Sequence, residues 1–115
     1  MKITKLPDLE KIPVAMEGAS GAWKQVPISR DHGSPMFSFR VFTLEPGGHT
    51  PFHEHDFEHL NYIIEGEGET VDAEGARKRV AQGDFVLVLP GEKHQYRNAG
   101  NGPFVFICAV PKEYE

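Results

Sequence analysis

The sequence has one cysteine and no long hydrophobic run. With Cys108 alone, the 115-residue chain cannot form an intrachain disulfide, which fits a reducing compartment. No segment approaches the roughly 18 consecutive apolar residues that a membrane helix needs. The N-terminus also lacks the apolar stretch of a signal peptide. We therefore expect a cytoplasmic protein that does not bind membranes.

Basic residues are also in the minority. Twelve Lys and Arg stand against 17 Asp and Glu, so the formal net charge is −5. A protein that binds a phosphate backbone normally carries a basic face, and the one dense basic cluster here is the short segment 76–80. We interpret this cluster as a solvated strand face and expect no nucleic acid partner.

What the sequence does have is a series of short apolar and aromatic segments separated by Gly and Pro. Five such segments between residues 36 and 111 recur about every ten residues, and none shows a helical pattern. This spacing predicts an all-β fold, an antiparallel sandwich or barrel. Residues 1–35 contain four prolines, so we expect an arm with short strands near 11–15 and 22–29 that packs on the barrel edge. Residues 36–115 would form the barrel, with one domain overall.

Histidines are concentrated at the start of one predicted strand. His53, His55 and His59 share the parity that places side chains on one face of a strand. His94 follows a Pro-Gly turn and begins another strand, so a small barrel could bring four imidazoles together. Neutral imidazole binds Zn, Cu, Fe and Ni alike. Four histidines would close a tetrahedral site, or would leave two positions open on an octahedral ion.

Two spaced motifs in this region resemble those of the cupin family. The first family motif, G(X)5HXH(X)3-4E(X)6G, is matched by Gly47, His53, His55 and Gly66. The second, G(X)5PXG(X)2H(X)3N, is matched by Gly83, Gly91, His94 and Asn98, with Leu89 where proline is usual.

The departure from the family pattern lies at position 59, where the first motif usually has glutamate. Glu58 is the alternative carboxylate ligand, but strand parity turns it away from His53 and His55. We therefore predict that His59 is the fourth ligand. The chain then resembles small single-domain cupins with an all-histidine site, several of which hold manganese.

This resemblance implies a jelly-roll β-barrel or sandwich, a homodimer, and one divalent transition metal per chain inside one end of the barrel. Mn or Fe is favoured, and Zn, Ni or Cu is the alternative. Residues that share parity with the histidines, or that alternate inward on neighbouring strands, are candidates for the substrate pocket: Arg40, Asn61, Tyr96, Phe106 and Cys108.

Three of the pocket candidates also have a structural explanation. Tyr96 and Asn61 are candidate catalytic groups, but Tyr96 could simply fill the barrel with its hydroxyl hydrogen-bonded. Cys108 is commonly a small buried apolar residue. Arg40 could meet an anionic substrate or pair with an acid at the sheet edge.

Three functions are compatible with these features. The first is a metal-dependent enzyme acting on a small oxygenated or anionic organic substrate, as a dioxygenase or as an isomerase or lyase that works through an enolate. The second is a non-catalytic module that binds a small molecule or sugar with help from the metal. The third is a barrel with a structural metal. Cupins support many activities, so the fold alone does not choose among them.

Overall fold

The computed structural model describes all residues 1–115 and consists mainly of β-strands. The strands are β1 (Ile12–Pro13), β2 (Ser20–Ile28), β3 (Phe37–His49), β4 (His59–Glu65), β5 (Glu67–Val71), β6 (Arg77–Ala81), β7 (Phe85–Val88), β8 (Gln95–Arg97) and β9 (Phe104–Pro111). Three single-turn 3-10 helices cover Leu6–Asp8, Arg30–His32 and Lys112–Tyr114. None of these helices is long and apolar enough to cross a membrane.

All strand pairings are antiparallel, and they join the strands into one sheet. Its main path runs β6-β5-β8-β3-β9-β4-β7, while β2 pairs with β3 beside this path and β1 pairs with β2. The predicted all-β jelly-roll architecture is confirmed. The segment predicted near 11–15 forms only the two-residue β1, whereas β2 begins two residues before the segment predicted near 22–29. The two strands of the arm therefore extend the same sheet.

The inward face of β3, β9 and β4 carries the residues that sequence parity selected. Arg40 is opposite Cys108, and Cys108 is opposite Asn61 in the next strand. In antiparallel pairs, directly opposed side chains share a face and lie within contact distance. The three residues therefore form one row across the sheet, next to a row that contains Phe42 and Phe106.

The outward face of the same strands is apolar. One row runs from Phe39 through Ala109 and Leu60 to Leu87 across β3, β9, β4 and β7. Phe39, Leu60 and Leu87 are exposed, as is Phe85 in the neighbouring row, which keeps 81% of its surface accessible. Large contiguous apolar patches of this kind mark contact surfaces more often than free surface.

The β4–β5 junction depends on a glycine at position 66. Gly66 has a φ of +77°, and a Cβ built on it would lie 2.1 Å from the Pro103 carbonyl oxygen. Gly75 in the β5–β6 turn has a similar φ of +80° but nothing within 4 Å of its Cβ position. A side chain added at either position would therefore meet the same unfavourable backbone conformation, but only at Gly66 would it also clash with backbone atoms.

We expect Gly66→Ala to lower the free energy of unfolding by about 3 kcal/mol or more, since backbone must move to relieve the clash. Gly75→Ala should cost only about 1 kcal/mol, for the left-handed conformation alone. Urea denaturation of both variants measures the difference. Equal losses would show that Gly66 is required for its φ and not for the close approach of Pro103.

Candidate metal centre

A two-hydrogen-bond bridge joins the two histidine segments. The N–H of His53 donates to the carbonyl oxygen of His94 at 3.1 Å, and the N–H of His94 donates to that of His53 at 2.9 Å. Residues paired in this way direct their side chains to the same face of the sheet. The ring centroids of the two imidazoles are accordingly 5.2 Å apart, although 41 positions separate the residues in the chain.

His55 joins this pair to form a three-histidine cluster. One ring nitrogen from each of His53, His55 and His94 lies within 4.8 Å of the other two. Nitrogens bound to one ion at about 2.1 Å are at most about 4.2 Å apart, so small ring rotations bring all three within bonding range. The Nε2 atom of His55 is buried and has no hydrogen-bond partner. A buried nitrogen without a partner is costly, and a bound metal would satisfy it.

Backbone carbonyls orient two of the three imidazoles. The Nδ1 atom of His55 is 3.1 Å from the carbonyl oxygen of Phe57, and that of His94 is 2.8 Å from the carbonyl oxygen of Glu92. A carbonyl can only accept, so in each ring Nδ1 carries the proton and donates it. This tautomer leaves the Nε2 lone pair free for a metal, as is usual when a second group holds a ligating histidine. The residues present therefore fit a divalent metal.

His59 lies beside this cluster but is not one of its three members. Its ring stacks on that of His55 with centroids 3.9 Å apart and is 5.5 Å from that of His94. The Nε2 atom of His59 is 3.5 Å from Nη2 of Arg40. Of the four histidines selected from the sequence, three converge within ligand distance, and the role of His59 as a fourth ligand stays a prediction.

A small cavity of about 60 Å³ adjoins the histidines and opens beside the arm. Four of the five predicted pocket residues line it together with three of the histidines: Arg40, Tyr96, Phe106, Cys108, His53, His59 and His94. The volume has room for a few water molecules or for the reactive end of a small ligand.

Asn61 is the predicted pocket residue that does not line the cavity. It is buried, its Oδ1 accepts the Tyr96 hydroxyl at 2.8 Å, and its Nδ2 donates to the Ile107 carbonyl oxygen at 3.2 Å. Both polar ends of Asn61 are thus occupied within the protein. The Tyr96 hydroxyl is therefore hydrogen-bonded to Asn61 and not to solvent or to a ligand in the cavity.

Sequence reasoning missed five lining residues, which are Val14, Met16, Phe42, Thr50 and Pro51. Phe42 could have been found, because it follows Arg40 by two positions on the same strand face. Val14 and Met16 belong to the turn between β1 and β2, for which no strand parity applies. Only the folding of the arm over the cavity brings them there.

Burial favours the neutral form of His53, His59 and His94. Desolvation, followed by the neighbouring histidines and Arg40, lowers the pKa of His53 from 6.5 to about 4 and that of His59 to about 2. Desolvation also lowers the pKa of His94, although hydrogen bonding to the Glu92 carbonyl opposes this. Neutral imidazole is the form that binds a metal. Burial raises the pKa of Tyr96, so its hydroxyl stays protonated and acts as a donor.

Removal of metal should expose a pH dependence of folding between about pH 6.5 and pH 4. Over this range the unfolded chain takes up protons on histidines that the folded chain keeps neutral, so the free energy of unfolding falls as the pH falls. After allowance for solvent screening around half-buried His53, we expect His53 alone to contribute a loss of about 2 kcal/mol, to which His59 adds because its pKa is lowered further. Chemical denaturation of chelator-treated protein at a series of pH values measures it.

The matched variant for this experiment is His53→Gln, which cannot titrate. Its stability should fall less steeply between pH 6.5 and pH 4 than that of the wild type. Parallel pH profiles for the two proteins would contradict the lowered pKa of His53.

The fold and the histidine cluster together define a metal-binding β-barrel domain. Residues 40–110 match the model of the Cupin_2 family, described as a cupin domain, and the chain belongs to this family. It is a metal-binding cupin with a three-histidine cluster.

Two curated relatives are gentisate dioxygenases. A gentisate 1,2-dioxygenase from Ralstonia sp. is 33% identical over 64 residues, which is 56% of this chain and 18% of the relative. A second, from Aquipseudomonas alcaligenes, is 29% identical over 62 residues, or 54% of this chain and 18% of the relative. The matched segment thus spans less than a fifth of the length of either relative.

Solved structures resemble the chain over nearly its full length. The polyketide cyclase RemF from Streptomyces resistomycificus superposes with a TM-score of 0.92 at 26% identity, covering 97% of this chain and 80% of RemF. A cupin-2 domain from Rhodospirillum rubrum superposes with a TM-score of 0.81 at 25% identity, covering 93% and 72%. Unlike the family model, which begins at residue 40, the match to RemF includes most of the arm.

Proposed function

We propose that this protein is a metal-dependent enzyme that converts a small oxygenated or anionic organic substrate in the cavity beside the histidines. The observation that carries the proposal is the convergence of His53, His55 and His94 next to a cavity that Arg40 also lines. A site built only to hold a structural ion would not need an adjoining cavity. Metal, cavity and a charged group in one place are what a small-molecule site requires.

We propose His59 as the fourth metal ligand. It is 9% exposed at the start of β4, and its ring lies against that of His55. Glu58, the carboxylate that could replace it, is exposed. Four neutral imidazoles leave the full charge of a divalent ion uncompensated, which favours the divalent state. We propose Mn or Fe as the native metal, with Zn, Ni and Cu as alternatives that imidazole also binds.

The chain's own residues supply orientation and the exclusion of water. A divalent ion held at this site would supply Lewis acidity toward a carbonyl or enolate oxygen and, with Fe or Mn, reactivity toward dioxygen. Phe42, Phe106 and Met16 give the cavity apolar walls that keep bulk water from the reacting atoms. Arg40 provides a fixed positive charge on one side. The Tyr96 hydroxyl donates a hydrogen bond to Oδ1 of Asn61, so it is not free to act as a base.

The names of the similar proteins support two reaction types. Similarity to gentisate 1,2-dioxygenases supports a dioxygenase, whereas similarity to a polyketide cyclase, RemF, supports the second type, which we propose to work through an enolate. A metal centre beside a bound substrate oxygen could serve either type. We propose an enzyme of one of these two types, and the dependence of turnover on dioxygen separates them.

One observation favours a second function, that of a non-catalytic small-molecule or sugar-binding module. No Asp or Glu lines the cavity, and the Tyr96 hydroxyl is already engaged by Asn61. A mechanism that needs a separate general acid or base would therefore lack an obvious residue for it. Binding without turnover by the metal-loaded protein would support this function.

Purified protein should carry close to one transition-metal ion per chain by elemental analysis.

His59→Ala should lower metal affinity by about tenfold or more, because a direct ligand is lost, while the adjacent Glu58→Ala should leave it within about twofold. Metal-loaded protein should convert members of a panel of small oxygenated acids that includes gentisate, and chelation should abolish turnover.

His49→Ala serves as the control, since His49 lies on β3 outside the three-histidine cluster. Protein that gains neither metal nor thermal stability from Mn, Fe, Ni, Cu or Zn would refute the proposed function. Equal metal affinities of His59→Ala and Glu58→Ala would show that His59 is not a ligand and that the cluster has three histidine ligands.

We also propose that a second copy of this chain covers the outward apolar face, forming a homodimer. Two rows of that face, from Phe39 to Leu87 and from Ile107 to Phe85, are uncharged. A symmetric contact places the same patch on both partners, so an uncharged apolar patch is complementary to itself. Sedimentation should give a dimer, and Leu87→Asp should give monomers that still bind metal. A monomeric wild type would exclude this contact.

A further inference from the structure

We propose that Arg40 binds the carboxylate of the substrate, so that the cavity selects small organic acids. This inference rests on the proposed function for the identity of the ligand as a substrate. The binding step itself depends on Arg40 and the cavity and can be tested with or without metal.

Arg40 lies on the inward face of β3, where its guanidinium reaches the cavity between the histidines and Cys108. Its Nη2 atom is 3.1 Å from Sγ of Cys108 and 3.5 Å from Nε2 of His59. Phe42 packs against it from one side, with the ring centroid 5.0 Å from Cζ. The positive charge is therefore held in place next to the proposed metal ligands.

The charge of Arg40 has no acidic partner in the protein. The ion pairs of the structure join Arg30 to Glu115, Arg77 to Glu69 and Arg79 to Glu67, and none of them includes Arg40. Glu115 is the acid near Arg40 in the fold, but its carboxylate is bound by Arg30 and Ser38. No Asp or Glu lines the cavity. A partly buried guanidinium without a counter-ion is unfavourable, and a divalent metal held by neutral imidazoles would add further positive charge. An anion in the cavity would compensate both.

The hydrogen-bond partners of Arg40 show which edge of the guanidinium has no oxygen acceptor. Nη1 donates to the Tyr114 carbonyl oxygen at 3.2 Å, which fixes the outer edge. On the other edge, Nε is buried without a partner, and Nη2 contacts only a thiol and an imidazole. Paired N–H groups on one edge of a guanidinium match the two oxygens of a carboxylate. This edge therefore lacks the oxygen acceptors that a carboxylate would provide.

The rest of the cavity indicates what the carboxylate is attached to. Val14, Met16, Phe42 and Phe106 supply apolar surface, which a free inorganic anion would not use. A ligand with a planar anionic end and a small apolar or aromatic body satisfies both parts of the lining. We therefore infer a small organic carboxylate and not phosphate or sulfate.

The test compares benzoate with benzamide, which has nearly the same shape but no charge. Binding is measured by calorimetry on metal-free and on zinc-loaded protein, and the metal content of each sample is measured alongside. Wild type should bind benzoate at least tenfold more tightly than benzamide in at least one of the two forms. Arg40→Met should weaken benzoate binding by at least tenfold and leave benzamide unchanged, because the charge-assisted hydrogen bonds are lost.

Two further variants complete the comparison. Arg79→Met removes the same charge from exposed β6, away from the cavity, and should leave benzoate binding unchanged. Arg40→Lys keeps the charge but loses the paired donors, so its affinity for benzoate should fall between those of wild type and Arg40→Met. If Arg40→Met does not fold, a severalfold loss in Arg40→Lys carries the test.

The opposite results would overturn the proposal. Benzoate affinity within twofold of wild type in folded Arg40→Met, or no preference of wild type for benzoate in either form, excludes Arg40 as the carboxylate site. A protein that takes up none of Mn, Fe, Ni, Cu and Zn but still prefers benzoate through Arg40 would refute the metal-dependent function and retain this inference. Metal affinity should not fall in Arg40→Met, since a cation beside His59 has been removed.

Discussion

The structure of this site depends on the pair of backbone hydrogen bonds between His53 and His94. These two bonds bring a segment before β4 next to a segment before β8, and they set the register that places both imidazoles on the inner side. A shift of one residue in either segment would turn one histidine outward. His55 then reaches the same point, since it lies two residues beyond His53.

Electrostatics links the histidines to the cavity. Burial disfavours protonation of His53, His59 and His94, so these imidazoles remain neutral, while no Asp or Glu of the cavity lining compensates the fixed charge of Arg40. The cavity is thus positive without a counter-ion, and a bound divalent metal would increase that charge. Specificity for an anionic ligand would follow from the absence of acidic residues in the lining as much as from the presence of Arg40.

Aromatic residues that are far apart in the sequence also pack against the histidine cluster. His59, His55, Phe57 and Tyr114 form a continuous stack with centroid separations of 3.9, 4.5 and 3.8 Å. The carbonyl of Tyr114 also accepts a hydrogen bond from Arg40. The turn after β9 therefore contacts both the histidine side and the arginine side of the site. The sequence offered no sign of this, because stacking between Phe57 and Tyr114 depends on the antiparallel pairing of β4 with β9, which local patterns in the chain do not specify.

The sequence by itself determined the alternation of polar and apolar residues along the strands and the choice of Arg40, Cys108 and Asn61 as inward-facing residues. Both follow from the period of two in a strand, which is a local property of the chain. The tertiary structure decided that Asn61 accepts a hydrogen bond from Tyr96 instead of facing the cavity. It also decided that Val14 and Met16 line that cavity. It also decided that His59 lies beside the three converging histidines. Parity tells which face a side chain occupies, but distance and partners depend on how the sheet curves and on what packs against it.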